Sequence, residues 1–334
     1  MAQTYRAVEA YEPGKLRLVE KPLREPGRGQ VRIRVEACGV CHSDAVTVET
    51  GKTCVPGHEV VGVIDALGAD VTGWQTGQRV GVGFFGGQCG RCEPCRLGDF
   101  VNCQNPIYTG MGVDGGYAEM IVVEERALVT IPDAISSVDA APLLCAGVTT
   151  YNALRNAGLH AGDLVAVHGI GGLGHLGIQY ARRMGFRTVA IARGPEKEVL
   201  AKKLGAHIYI DSNAGNPAEA LKNLGGAKAI LATAANSASM GPLLPGLAPR
   251  GRLIVAGVDM KDISVNSVAL TFGGRSVQGV LTGTPIEEEE TLKFSLLADV
   301  RPMIETMPLE QAAEAYSRMM NNNARFRIVL TTGN

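Results

Sequence analysis

Apolar and polar residues alternate with period two over Val31-Arg32-Ile33-Arg34-Val35-Glu36, the signature of a strand with one face against a core. Glycine-bounded apolar runs follow at Glu59 to Ile64, Arg79 to Gly83, Gly116 to Val123 and Ala127 to Ile131, so the first part of the chain reads as β-rich. A helix-like stretch from Ser137 to Leu144 closes it, and then the pattern changes. Strand Leu164 to Val167 is followed by Leu173, Leu176, Gly177, Tyr180, Ala181 and Met184 at helical spacing on one face. Strands Thr188 to Ile191, Ile208 to Ile210, Ala229 to Ala232, Arg252 to Ala256 and Ser276 to Val280 come next. Helices are expected between them at Glu196 to Leu204, Ala218 to Leu224 and Met240 to Leu247. Strands alternating with helices give an α/β fold with a doubly wound parallel sheet. The tail should return to the first domain and end in a strand, Phe326 to Leu330. The expected domains are 1–146, with a lobe at about 86–105, then 147–283, and 284–334 rejoining the first.

A chain of 334 residues accommodates two such domains with large cores. Its 32 basic and 33 acidic residues leave no electrostatic footprint for nucleic acid or an anionic membrane. No run of 18 apolar residues is present, and the start, MAQTYRAVEAYEPGK, lacks a basic and apolar leader, so a cytoplasmic enzyme is expected. The run Glu287 to Glu290 reads as a solvated helix start, where carboxylates are favoured.

The eight cysteines carry the chemistry. In a reducing compartment, clustered cysteines are more often metal ligands than disulfides. Cys89, Cys92, Cys95 and Cys103 fall within fifteen residues, and four sulfurs with no open position suit a structural zinc, although an iron-sulfur cluster also accepts four cysteines. Outside that lobe Cys41, His58 and Cys145 offer three ligands, the number a catalytic zinc needs to keep one open position. Cys38 and Cys54 read as core or loop residues. Gly169-Ile-Gly171-Gly172-Leu173-Gly174 lies between a strand and a helix, the context of a dinucleotide fingerprint whose backbone N–H groups meet a pyrophosphate. His168 and His175 border that turn and read as packing or capping groups.

Cys41-His-Ser-Asp44, Gly57-His-Glu59 with Gly62 and Gly68, the four-cysteine lobe, and Leu143-Leu-Cys-Ala-Gly-Val-Thr149 occur in an order that resembles the zinc-containing alcohol dehydrogenases of the medium-chain dehydrogenase/reductase superfamily. The resemblance spans nearly the whole chain and is nearest to microbial enzymes of the cinnamyl and propanol-preferring types. It implies a β-rich GroES-like catalytic domain and a Rossmann domain, and zinc rather than iron-sulfur in the lobe, hence two zinc ions per chain. It also implies reversible hydride transfer between a nicotinamide and an alcohol whose oxygen is acidified by zinc on Cys41, His58 and Cys145. Asp44 would hold the far nitrogen of His58, and Glu59 would stand beside the zinc without being a ligand. Ser43 would take the alcohol proton and pass it to the cofactor ribose. A histidine continues that relay in many relatives, but here the position is Val46. By the same matching His42 and Arg327 would meet the pyrophosphate, Thr149 the nicotinamide, and Val258 would line its pocket.

The family's acidic selector for the adenosine ribose falls on Ala192, with Arg193 beside it and Lys197 near, a combination that favours NADP(H) over NAD(H). The segment from Cys41 to His58 is shorter than in many relatives and lacks their aromatic residues. A roomy, aliphatic-lined pocket for primary aliphatic or aromatic alcohols and aldehydes is therefore expected. The resemblance further suggests a homo-oligomer, tetramer or dimer. The alternatives are a zinc-independent quinone or enone reductase of the same superfamily, against which the intact Cys41, His58 and Cys145 argue, and a zinc-dependent binding module.

Overall fold

The computed structural model describes residues 3–333, and these divide into two compact units, one of residues up to 148 together with those from 283 onward and one of 149–282. In the first unit the central strand is Gln30–Val40. Its sheet runs in the order Leu128–Thr130, Arg79–Val82, Val60–Leu67, Gln30–Val40, Arg327–Thr331, Ile304–Pro308, and Met120–Glu124 also pairs with the central strand. Val31, Ile33 and Val35 are fully buried, as the alternation requires. Arg32 on the opposite face is also buried, because Asp65 at 2.5 Å and Glu25 at 3.0 Å pair with its guanidinium.

The last strand is antiparallel to the central one, with Ile328 opposite Val40 and Leu330 opposite Cys38. One residue beyond the Ile328–Val40 pair stand Arg327 and Cys41, so the tail of the chain completes the surroundings of the first cysteine of the site. The tail also supplies helix Pro285–Ala298, opened by a capping box in which Glu287 accepts from the Thr284 backbone N–H at 2.8 Å. The acidic run is not wholly solvated as expected: Glu289 accepts from the Thr130 backbone N–H at 2.9 Å, and Glu288 is buried. The cysteine lobe carries a small three-stranded sheet of Phe85–Gly87, Ile107–Thr109 and Gly112–Val113.

The second unit is a six-stranded sheet whose paired strands are all parallel. Its order is Ile208–Asp211, Arg187–Ala192, Leu164–His168, Ala227–Ala232, Leu247–Val255, Ser276–Gly279. The order reverses at Leu164–His168, which makes the carboxyl end of that strand the switch point where such sheets bind ligands. Helix Gly174–Arg183 follows directly and buries Leu176, Gly177, Ile178, Tyr180 and Ala181. Where a helix over Met240 to Leu247 is expected, the chain forms a 3-10 helix, Gly241–Gly246. Pro242 and Pro245 remove backbone donors there and disfavour a longer α-helix.

Candidate active site

In the lobe the Cys103 Sγ lies 3.6 Å from that of Cys89 and 4.0 Å from that of Cys92, and the four ligand sulfurs, Cys95 included, lie within 4.8 Å of one another. Two sulfurs bound at about 2.3 Å to a tetrahedral zinc stand about 3.8 Å apart, so the lobe is already spaced for the ion. Backbone N–H groups point at the sulfurs, from Cys89 to Cys103 at 3.3 Å and from Gln104 to Cys92 at 3.5 Å. Donation from the Arg91 and Cys92 backbones lowers the Cys89 thiol to about 6, whereas burial pushes Cys95 up to about 12. A cation resolves that opposition by holding all four as thiolates.

The second cluster gathers Cys41, His58, Glu59 and Cys145, all buried. Cys41 directly follows the central strand, and its N–H donates to Asp44 Oδ2 at 2.9 Å, which shapes the 3-10 turn His42–Asp44. Gly57, at φ +101°, turns the chain just before His58 and strand Val60–Leu67. Cys145 follows the 3-10 turn Ala141–Leu144. The Sγ atoms of Cys41 and Cys145 are 3.8 Å apart, again the separation of two ligands on one zinc. The hydrogen bond between them pulls the Cys41 thiol down and pushes the Cys145 thiol up.

His58 Nδ1 lies 2.9 Å from Asp44 Oδ1, and its Nε2 is buried with no hydrogen-bond partner among the described residues. Burial opposes a charge on His58, but Asp44 and Cys41 outweigh it and hold its pKa well above the usual value. Glu59 sits over Gly39, where no side chain could fit, and accepts from the buried guanidinium of Arg327. Burial raises its carboxyl to about 7 even though Arg327 pulls the other way. Two thiols and an orphaned imidazole nitrogen facing one another fit a zinc ion with three protein ligands; Glu59 gives Oε1 to Arg327, while its Oε2 is buried in the same cluster without a hydrogen-bond partner among the described residues.

Around this cluster the Ser43 Oγ lies 3.7 Å from the Cys41 Sγ, while His42 and Val46 are exposed. Two aromatic rings stand beside the cluster. Phe84 packs edge-on against the His58 ring at 5.3 Å between centroids, and Tyr108 packs on Phe84 at 5.0 Å. Phe84 directly precedes strand Phe85–Gly87 and Tyr108 lies in Ile107–Thr109, so neither ring belongs to the short segment between Cys41 and His58. Tyr117 was also missed: its hydroxyl donates to Asp44 Oδ2 at 2.8 Å.

In the second unit Gly169 has φ +97°, and no atom lies within 4 Å of where a Cβ on Gly171 would stand. Gly172 and Leu173 are half-buried, while a Cβ on Gly174 would collide with the Gly169 carbonyl, so that glycine serves the close fit of helix on strand. His175 is wholly buried with Nδ1 2.9 Å from the Gly171 carbonyl. Burial lowers His168 to about 4, and both histidines are packed groups. Ala192 ends its strand opposite Asp211. Arg193 is exposed, with no ion pair among the described residues, and Lys197 is half-buried. The next peptide is clamped on both sides: the Gly194 N–H donates to Asp211 Oδ1 at 2.8 Å, and the Tyr209 hydroxyl donates to the Gly194 carbonyl at 2.5 Å. Neither partner carries a sequence signal, because the register of two strands brings them there. Thr149 is buried and Val258 exposed.

The alcohol dehydrogenase GroES-like domain family matches residues 27–133, and the zinc-binding dehydrogenase family matches residues 172–297. The chain is 41% identical over 336 residues to alcohol dehydrogenase notN of Aspergillus sp. (strain MF297-2), covering 99% of each. Among solved structures, cinnamyl alcohol dehydrogenase SbCAD4 of Sorghum bicolor superposes with a TM-score of 0.89 at 30% identity over 98% of both chains. CAD of Helicobacter pylori, complexed with NADP(H), has a TM-score of 0.88 at 26% identity over 99% of both.

Proposed function

The chain belongs to the zinc-containing alcohol dehydrogenases of the medium-chain dehydrogenase/reductase superfamily, and from that premise we propose that Cys41, His58 and Cys145 hold the catalytic zinc and that NADP(H) is the favoured cofactor. The reaction is reversible hydride exchange between a small alcohol or aldehyde and a nicotinamide. The observation that carries the zinc assignment is the meeting of the two thiols with the partnerless Nε2 of His58. A second zinc in the four-cysteine lobe has a structural role only.

When bound, zinc supplies a Lewis acid for the alcohol or carbonyl oxygen and the nicotinamide supplies the hydride acceptor or donor. The protein does the rest. Asp44 keeps the His58 proton on Nδ1 and so leaves Nε2 as the donor atom. Arg327 holds one oxygen of Glu59, and the family resemblance assigns its guanidinium to the pyrophosphate. Ser43 Oγ, beside Cys41, is the group assigned to take the alcohol proton. With Val46 in the relay position the proton leaves through the ribose, water or His42. Thr149 and Val258 are assigned to the nicotinamide, and Gly169, Gly171, Gly172, Leu173 and Gly174 to the pyrophosphate turn.

The selector is the end of strand Arg187–Ala192. Ala192 offers no carboxylate to ribose hydroxyls, and the unpaired Arg193, on a turn clamped by Asp211 and Tyr209, suits a 2′-phosphate, with Lys197 in support. The aromatic wall of Phe84 and Tyr108 favours aromatic or medium-chain primary alcohols and aldehydes. A homo-oligomer is supported by the exposed edge strand Ser276–Gly279 and the exposed Val268, Phe272 and Leu281. Eight free cysteines favour the reducing cytoplasm. The deciding experiment compares initial rates with NADPH and NADH over a panel of aliphatic and aromatic aldehydes, alongside zinc analysis. NADPH preference with two zinc ions per chain is expected. An NADH preference would remove Arg193 as selector, and one zinc or none would remove the metal assignment.

A further inference from the structure

We infer that Tyr117 is a positioning residue for the catalytic metal, acting through Asp44 on His58. The inference rests on the reading that Cys41, His58 and Cys145 hold zinc. Tyr117 is wholly buried, and its hydroxyl donates to Asp44 Oδ2 at 2.8 Å. The same oxygen accepts the Cys41 N–H at 2.9 Å, while Oδ1 faces His58 Nδ1 at 2.9 Å. Two donors on one oxygen fix the plane of the carboxylate and spread its charge, so the other oxygen meets the imidazole in one orientation and with reduced basicity.

The ring is fixed to the backbone that carries His58. Gly116 N–H donates to the Gly57 carbonyl at 2.9 Å, Tyr117 N–H to the Pro56 carbonyl at 3.0 Å, and Val8 N–H to the Tyr117 carbonyl at 2.7 Å. The ring lies so close to Gly57 that a Cβ there would stand 2.5 Å from Tyr117 Cδ1. Strand, glycine turn and tyrosine thus form one frame, in which the hydroxyl reaches Asp44 and the backbone sets His58. Tyr117→Phe removes the hydroxyl alone. Asp44 then keeps one donor on Oδ2, turns more freely and pulls harder on the Nδ1 proton, which changes both the hold on the metal and the electron density it receives.

The test uses the full chain loaded with zinc and, separately, with cobalt. Zinc release to a chelator is followed as two phases, with the four-cysteine lobe as internal reference. For Tyr117→Phe, release from the catalytic site should quicken about tenfold while the lobe phase is unchanged, and the cobalt d–d absorption of that site should shift. A purely structural role would move thermal stability without moving the band. Unchanged release together with an unchanged band in a folded variant overturns the inference. Should Tyr117→Phe fail to fold, incorporation of 3-fluorotyrosine keeps ring and donor and strengthens donation, so the band should move the opposite way. An unmoved band there overturns the inference equally. The parent reading is tested apart from this: if Cys41→Ala retains both zinc phases, the metal assignment fails, whatever Tyr117→Phe shows.

Discussion

The carboxyl group of Glu288 lies directly over the α-carbon of Gly83, where an added Cβ would stand 2.6 Å from its carboxyl carbon. Gly83 precedes Phe84, so the helix from the chain's tail reaches the aromatic wall beside His58. Glu288 is 2% exposed, and its Oε2 is buried without a hydrogen-bond partner among the described residues. Burial holds its carboxyl well above the usual range, with His58 opposing and Glu287 adding to the rise.

A carboxyl whose folded pKa exceeds its unfolded value binds its proton more tightly in the native state. Its contribution is present in full below the unfolded pKa and is lost as pH rises toward the folded one. Glu288→Gln keeps the shape and removes the titration. The variant should melt about 2–4 °C above the parent near pH 8, with a smaller difference near pH 5. Thermal unfolding of zinc-loaded protein at both values checks this, and equal differences at both would mean that Glu288 is already ionised in the native state.

Cys41→Ala should lower zinc from two per chain to one and reduce turnover by at least about 1,000-fold, since a Lewis acid contributes several kcal/mol to the barrier. Cofactor should still bind, because the glycine turn belongs to the other unit. Metal analysis, turnover and NADPH fluorescence titration read the three effects. Retained alcohol oxidation in this variant would sink the catalytic-zinc assignment.

Arg193→Ala should reduce kcat/KM for NADPH by about 10- to 100-fold, the worth of a charge-assisted contact to phosphate. The value for NADH should stay close to that of the parent. Parallel initial rates with both cofactors measure the ratio, and equal losses for the two would show that Arg193 supports the turn without reading the phosphate.

Phe84→Ala should raise KM for aromatic aldehydes by about fivefold, in keeping with about 1 kcal/mol for one ring contact. Short aliphatic aldehydes should be affected little. A matching loss on both classes, read from steady-state kinetics, would place the effect on His58, which Phe84 also touches.

Much of the candidate site was legible in the sequence because its proposed ligands sit where local signals concentrate. Cys89, Cys92, Cys95 and Cys103 are close in the chain, so backbone turns alone bring their sulfurs together. Gly169 to Gly174 announce themselves through a strand before and a helix after. Cys41, His58 and Cys145 could be listed by elimination and resemblance, but neither gives the 3.8 Å between two sulfurs or the bare Nε2.

By itself, then, the sequence determined the kinds of element, the four-sulfur lobe, the glycine turn and the likeness to a family, since each follows from periodicity, spacing or motif within a short stretch. Only the tertiary structure decided that Arg327 engages Glu59, that Tyr117 reaches Asp44, that Asp211 clamps Gly194, and that one glutamate of an acidic run is buried over Gly83. Those partners lie 17 to 268 residues apart or on separate elements. Their meeting depends on strand register and on the return of the tail to the first unit, which no local pattern in the chain encodes.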